Sequence, residues 1–422
     1  MISQKIKSWL NKEKKKHKLN VKITELSNLK NWNFNNKIIA HNSGKFFKII
    51  GLKIHTNFFK NNWDQPIIVQ NEIGILGIIK NNSSKKYLLQ AKMEPGNKNK
   101  LQLSPTVQAT KSNYKQVHGG KKVPYLKFFL NKNKKDIMNQ SEQGFRYLNK
   151  FNSNILINID DKLKLLPSFF WFSLKELDNL IKKKNILNMD TISVFSSFIK
   201  KSKIDKPYNS TKKINILINK NDKKFFMKKT IVALDKLKDW KFSKKEISHK
   251  YGKHFSIIGA NVETNKREVS KWSQPLIMSK KLALAAFLLK KINNTNHYLC
   301  RYILKPGLKK SVITCSVNTS DISNYKNNKT LTIDQKKIIE KFILNSNKNK
   351  VVYDNIISDE GGRFYHCEIR NVAILLKENI DIKLPKTYFW ISQNQMINMI
   401  KNKRVDIEAR LLFGCINIKN LI

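Results

Sequence analysis

Between Lys92 and Thr110 the sequence reads KMEPGNKNKLQLSPTVQAT, and it gathers an amine, a carboxylate, a Pro-Gly-Asn turn and a run of hydroxyls and carboxamides in a chain otherwise dominated by Lys, Asn and Ile. Glu94 is a candidate for acid/base work. Gln102, Ser104, Thr106 and Gln108 alternate, so one extended strand would present all four on one face. Uncharged donors and acceptors in a row suit a pocket that reads a multiply hydroxylated ligand; the same pattern also suits a strand facing solvent. The WDQP segment adds Asp64 as a second candidate carboxylate, although an isolated acid usually ends in a surface salt bridge. Trp63 beside it offers a ring to stack on a base or sugar, or to pack in the core.

Those residues sit in a chain that is written twice. LKNWNF at Leu29 returns as LKDWKF at Leu237, FFKIIGLKIHT at Phe46 as HFSIIGANVET at His254, and NWDQPII at Asn62 as KWSQPLI at Lys271. Six of the seven Trp pair up, at offsets of 208, 209 and 219 residues. SEQGFRY at Ser141 answers SDEGGRFY at Ser358, and NMDTISVFSSF at Asn188 answers DIEARLLFGCI at Asp406. The copies differ in their polar groups. Aligned on the Pro-Gly turn, Gln90 faces Arg301, Lys92 faces Ile303 and Glu94 faces Lys305, while Asp64 becomes Ser273. The turn persists and its chemistry does not, whereas the second copy keeps Arg363 and Arg410 where the first has Arg146 and Ile192. One composite site, from the middle of the first copy and the end of the second, is the simplest account; two separate sites are the alternative.

The elements that must position these groups are β-rich segments (FFKIIGLKI, IGILGIIK, KKYLLQAKM) followed by helical patterns, SLKELDNLIKKKN and SQNQMINMIKNK, each opening on a Ser able to cap it. The expected class is α+β: two mixed-sheet domains with flanking helices, spanning 21–205 and 206–422 and joined near the polar KSKIDKPYNSTKK stretch. Residues 1–20 place Ile2, Ile6, Trp9 and Leu10 at helical spacing, an amphipathic helix expected to dock on the body rather than a signal peptide. The longest apolar run, LALAAFLL, is too short to span a bilayer. Four cysteines without a C-x-x-C pair suit a reducing cytoplasm, and the eight His include no metal-type pair. The formal charge of +52 raises a nucleic-acid-binding alternative. Lys, however, accompanies Asn and Ile in every segment, as a compositional drift would produce, so nucleic acid is not expected as a partner. No G-x-G-x-x-G, Walker loop or G-x-S-x-G elbow is present.

The string FFKIIGLKI…WDQPII…GILGII…LLQAKMEPGNKNKLQLSPTVQATKSNY…HGG…PYL…SEQG, with WSQPL…DEGGRFYH…EAR in the second copy, resembles the NDP-hexose 2,3-dehydratase family over nearly the whole chain. The resemblance implies two Nudix-like domains without the Nudix catalytic box, a homodimer and no nicotinamide; with the cysteine and histidine readings, a cytoplasmic location and no cofactor or metal are expected. It implies elimination of water across carbons 2 and 3 of dTDP-4-keto-6-deoxy-D-glucose, to a labile 3,4-diketo-2,6-dideoxy sugar that a downstream 3-ketoreductase would consume. A ketone at carbon 4 acidifies the hydrogen on carbon 3, so the site needs a base, a donor to the enolate oxygen and an acid for the leaving hydroxyl. On this resemblance Asp64 and Glu94 are expected as base and acid in either order, and Lys92 and Tyr114 as enolate or proton-shuttle groups. Arg146, Arg363 and Arg410 are expected on the diphosphate, which suits the guanidinium fork. Trp63, Gln65, Gln90, Asn97, Ser104, Thr106, Gln108, Thr110, Asn113 and Tyr365 are expected around sugar and thymine. A catalytically inactive sugar-nucleotide-binding scaffold is the remaining alternative.

Overall fold

The computed structural model describes residues 3–421 apart from 99, 118, 131–135, 161–162, 280, 329–330, 346–348 and 381. His118 of the HGG motif therefore lies outside the described residues.

Each sequence copy builds the same succession of elements. In the first repeat a helix, Gln4–Lys16, precedes strands Leu19–Thr24, Trp32–Phe34, Ile38–His41, Lys48–Thr56, Trp63–Val69, Gly74–Asn81 and Lys86–Met93. The second repeat answers with Thr211–Lys224 and strands beginning at Met227, Trp240, Glu246, Ser256, Lys271, Leu282 and Thr295. Two sheets form per repeat, one of six strands and one of seven. In the larger sheet Phe151–Ile159 runs parallel to Gly74–Asn81 while Lys86–Met93 runs antiparallel to it, so the sheet is mixed and the class is α+β, as expected. The expected N-terminal helix forms, capped by Ser3; Ile6 is fully buried and the Trp9 ring packs tilted against Phe170 at 5.1 Å. Ser173 and Ser392 cap their helices through complete capping boxes with Glu176 and Gln395.

The six-stranded sheets cross the sequence repeat. Leu19–Thr24 of the first copy pairs with Gly259–Thr264 of the second, and Met227–Val232 pairs back with Gly51–Thr56 of the first. Each repeat thus lends its opening strand to the other. The exchange is locked at the pseudo-twofold axis, where Phe34 stacks on Phe242 with rings 5.0 Å apart and 5° from parallel. Trp32 donates its indole N–H to Ser273 O and Trp240 donates to Asp64 O, both at 2.7 Å, which makes this Trp pair part of the shared core. A second shared core joins the helices Met189–Ser197 and Ile407–Asn417, which approach so closely that a Cβ on Gly414 would lie 2.8 Å from Ser196 Cβ.

The Pro-Gly turns make the most consequential crossing. Gly96 N donates to Gly361 O at 2.8 Å, and a Cβ on Gly96 would fall 1.7 Å from Phe364 O. Gly307 N likewise donates to Gly144 O at 2.6 Å, with Tyr147 O at 1.7 Å from its would-be Cβ. Only glycine permits such backbone contact. Each repeat's turn is seated in the other's Glu/Gln-Gly loop, so any site at the turn is built by both copies.

Candidate active site

Glu94 follows the strand Lys86–Met93 and opens its turn. It is 3% exposed. Its Oε1 accepts from Gln108 Nε2 at 3.0 Å and from Arg267 Nη1 at 3.5 Å, while its Oε2 is buried with no hydrogen-bond partner among the described residues. Lys92 is buried on the same strand and donates to Gln108 O at 3.2 Å. Gln108 in turn accepts from Asn188, the N-cap of the helix Met189–Ser197, whose first turn carries the buried Asp190. From the second repeat comes Glu360, hydrogen-bonded by Tyr147 Oη at 3.2 Å and by Gly362 N at 2.8 Å.

Crowding of acids and bases away from water sets their protonation. Burial pulls the Lys92 amine down, Arg267 adds to this, and Glu268, Glu94 and Asp190 oppose it. Burial pushes Asp190 well above the usual carboxylate range, with Glu142, Glu360 and Glu94 contributing and Lys92 opposing. Glu360 is pushed up to about 7, by burial first and then by the Glu94 charge. Groups perturbed this way, by desolvation and named partners beside a cleft, mark functional sites more often than structural ones.

Above Glu94 opens a cleft of about 670 Å³, lined on the Glu94 side by Pro95 and Arg267. Trp272, Lys271, Arg363, Lys22 and Lys30 also line it, as does Asn113. Lys22 comes from the exchanged strand, and Arg363 holds its guanidinium 4.2 Å from the Phe47 ring. The lining is cationic and aromatic, and Arg267 joins it to the buried Glu94.

The pseudo-equivalent position in the second repeat is closed. Lys305 stands where Glu94 does and is fully buried in an ion triad with Asp406 at 2.8 Å and Glu408 at 2.5 Å. Where Arg267 opens the first site, Phe58, Phe59 and Phe145 pack with Ile303 and Leu308, and Phe59 sits edge-on to Trp63 at 5.3 Å. The asymmetry read from the sequence has a physical counterpart: Glu94 lies beside an open cleft, and Lys305 is held in an ion triad beside packed aromatic rings.

Comparison of the two halves also sorts the expected residues. Groups that make identical bonds in both repeats serve the fold. Thr106 Oγ1 bridges Ile79 N and Leu88 O, as Ser316 bridges Leu288 N and Leu299 O. Gln65 bonds Trp63 and Phe145 O, as Gln274 bonds Trp272 and Gly362 O. Pro105 splits the expected polar strand into Leu101–Ser104 and Val107–Ala109, and Gln102 and Ser104 turn inward to Asn185 O and Gln90 O. Asn97 bonds Gln102 beneath the turn. Of that expected face only Gln108 reaches Glu94. Gln90 is half-buried, two residues before Lys92 on the same strand face.

Several expected groups lie elsewhere. Asp64 Oδ2 accepts Lys238 N at 2.9 Å, tying the repeats together rather than joining Glu94. Arg410 is wholly buried between the two packed helices, donating to Ser193 Oγ and Ser141 O, and Arg146 stacks at 4.1 Å on Phe255 at the pseudo-equivalent of the Arg363 position. Tyr365 stacks on His366, and Thr110 pairs with Ser112. Burial and Glu72 push the Tyr114 hydroxyl up, and its ring packs with Val123 and Phe129. Sequence reasoning passed over Arg267, Glu360, Asp190 and Trp272. The scarcity of Arg pointed to the first, and the repeat itself to the last, since Trp272 is the mate of Trp63.

A family model described as NDP-hexose 2,3-dehydratase matches the chain twice, over residues 3–198 and 211–416. The chain is 30% identical over 420 residues to the dTDP-4-dehydro-6-deoxy-alpha-D-glucopyranose 2,3-dehydratase of Saccharopolyspora spinosa, covering 92% of this chain and 86% of that protein. Proteins of the same description from Amycolatopsis orientalis and Streptomyces violaceoruber are each 30% identical over 432 residues, covering 99% and 97% of this chain and 90% and 96% of their own lengths.

Proposed function

The chain belongs to the NDP-hexose 2,3-dehydratase family, and from that premise we propose that it eliminates water across carbons 2 and 3 of dTDP-4-keto-6-deoxy-D-glucose, a hydro-lyase step of deoxysugar biosynthesis. The observation that carries the reading is Glu94: a buried carboxylate, one oxygen oriented by Gln108 and Arg267 and the other without a donor among the described residues, beside the buried Lys92. An oxygen so placed serves as the base for carbon 3. Lys92 and Arg267 supply positive charge for the enolate that forms at the carbon 4 oxygen. Arg363, Lys22, Lys30 and Lys271 hold the diphosphate in the cleft, and Trp272 takes the place expected of Trp63 against the thymine.

On the same reading the repeats are Nudix-like, the enzyme is a cytoplasmic homodimer, and its labile diketo product passes to a 3-ketoreductase. The test incubates purified protein with dTDP-4-keto-6-deoxyglucose, a 3-ketoreductase and NADPH, and follows the nucleotide sugars by mass spectrometry. A 2,6-dideoxy sugar that disappears with Glu94→Gln is the expected result. Protein that binds dTDP and converts nothing would return the chain to the inactive-scaffold alternative.

A further inference from the structure

Elimination needs an acid as well as a base, and Asp64, the second carboxylate expected from the sequence, is spent on Lys238 N. We propose that Glu360, carried across from the second repeat, is the proton donor to the departing carbon 2 hydroxyl, with Tyr147 as the residue that positions it. The assignment rests on the dehydratase reading and adds the group that reading lacks.

Three observations support it. First, the backbone brings Glu360 to Glu94: a Cβ on the next residue, Gly361, would lie 2.8 Å from Glu94 Cβ and 2.4 Å from Asn97 Oδ1, so the two repeats touch at this point. Second, Glu360 is partly exposed where Glu94 is buried, and Gly362 and Arg363, which follow it, line the cleft. Its carboxyl is aimed by two contacts, from Gly362 N and Tyr147 Oη. Third, the closed half of the molecule has lost both carboxyls together, with Lys305 at the Glu94 position and Gln143 at the Glu360 position. The pair survives only where the cleft is open.

The charge environment agrees. Burial, Glu94 and Glu142 favour the protonated form of Glu360, which titrates at about 7, while Arg363 and the Tyr147 hydroxyl favour the anion. Asp190 and Lys150 complete the ionisable groups that feel it. A carboxyl that holds its proton near neutrality beside a second carboxyl is an arrangement suited to acid/base elimination.

The step balances without an outside reagent. The C3–H bond breaks, its proton passes to Glu94, and its electrons move to the carbon 4 oxygen. They return to form the C2–C3 double bond as the C2–O bond breaks, and the hydroxyl leaves with the Glu360 proton as water. Ketonisation then moves the enol proton on the carbon 3 oxygen to Glu360, and a proton from Glu94 or its exchanging water to carbon 2. Both carboxyls end as they began.

The experiment runs the full-length protein and its Glu360→Gln, Glu94→Gln and Tyr147→Phe variants with dTDP-4-keto-6-deoxyglucose in D₂O. It reads deuterium at carbon 3 of recovered substrate separately from reductase-trapped product. Glu360→Gln keeps the Gly362 N contact through its amide oxygen and can meet Tyr147 Oη only as donor; it is expected to lose about 10²- to 10⁴-fold in elimination while still exchanging carbon 3. Glu94→Gln loses both. In wild type kcat/KM falls above about pH 7 as Glu360 deprotonates. Tyr147→Phe moves that limb to higher pH, because the hydroxyl it removes favours the anion. Near-normal elimination by Glu360→Gln overturns the assignment, as does loss of exchange together with elimination. Wild-type protein that does neither would overturn the dehydratase reading, and this assignment with it.

Discussion

Replacing Lys305 by Met tests whether the second half has exchanged chemistry for structure. The ammonium is fully buried between Asp406 at 2.8 Å and Glu408 at 2.5 Å. At an effective dielectric constant near 20, each contact is worth about 6 kcal/mol of gross attraction. Most of that offsets the desolvation of the ions. Met fills similar volume but leaves two carboxylates buried without a counter-ion, so the expected loss of stability is about 3–5 kcal/mol at neutral pH. The pH dependence carries a definite sign. Burial already pushes the Glu408 carboxyl up, and Lys305 opposes the shift. Without Lys305 the folded-state value rises further above the unfolded one, so the folded state binds protons the unfolded state does not, and stability falls as pH rises. The deficit of Lys305→Met is therefore largest near pH 8 and shrinks toward about pH 5. Lys305 itself is held up by Asp406 and Glu408, so its own contribution is intact throughout that window and is lost only as pH rises through its elevated folded value. Urea titration at several pH values reads this directly, and adding Glu408→Gln restores part of the loss. A deficit below about 1 kcal/mol, or one that does not change with pH, would refute the account of the triad. Turnover per folded molecule is retained, because the triad lies at the closed position.

Three further outcomes follow from the same geometry. Arg267→Ala, which removes the charge-assisted contact to Glu94, lowers kcat/KM by about 10- to 100-fold, and Arg267→Lys restores only part of it for want of the planar fork. Trp272→Ala weakens dTDP binding in calorimetry by about three- to tenfold, whereas Trp63→Ala, at a ring covered by Phe59, leaves affinity unchanged and lowers the unfolding midpoint. Asp64→Asn keeps dehydration at the wild-type rate, and Asp64→Ala costs about 1 kcal/mol in unfolding experiments by leaving Lys238 N without its acceptor.

Much of this was legible because duplication supplies a second reading of each position. Tryptophan pairs exposed the repeat, and Ser173 and Ser392 marked helix starts through local hydrogen bonds that need no tertiary context. Glu94 and Lys92 stood out as residues present in one copy and replaced in the other. The strand exchange was not legible, because alternation in Leu19–Thr24 and Met227–Val232 specifies an extended strand and not which sheet edge receives it. Pro105 did announce a break, since proline has no N–H to offer a ladder, and weighing it would have divided the polar row before it was treated as one face.

Thr106, Gln65 and Asp64, expected at the site, each bond backbone away from Glu94. Thr106 and Gln65 answer a demand of the fold, since Ser316 and Gln274 make the same bonds in the other repeat, and Asp64 accepts from the backbone of Lys238. In this duplicated chain a hydrogen bond repeated in both copies belongs to the fold, and at the seam an acid confined to one copy marks the open site, although Arg363 and Trp272 there keep mates in Arg146 and Trp63. Applied to the Glu/Gln-Gly loop, that criterion selects Glu360 over Gln143 with no reference to titration. It also explains why the site lies at the seam: a turn that must seat in the other repeat's loop brings Glu94 and Glu360 together through two glycine backbones, so each half can vary its own side chain while the shared backbone contact stays fixed.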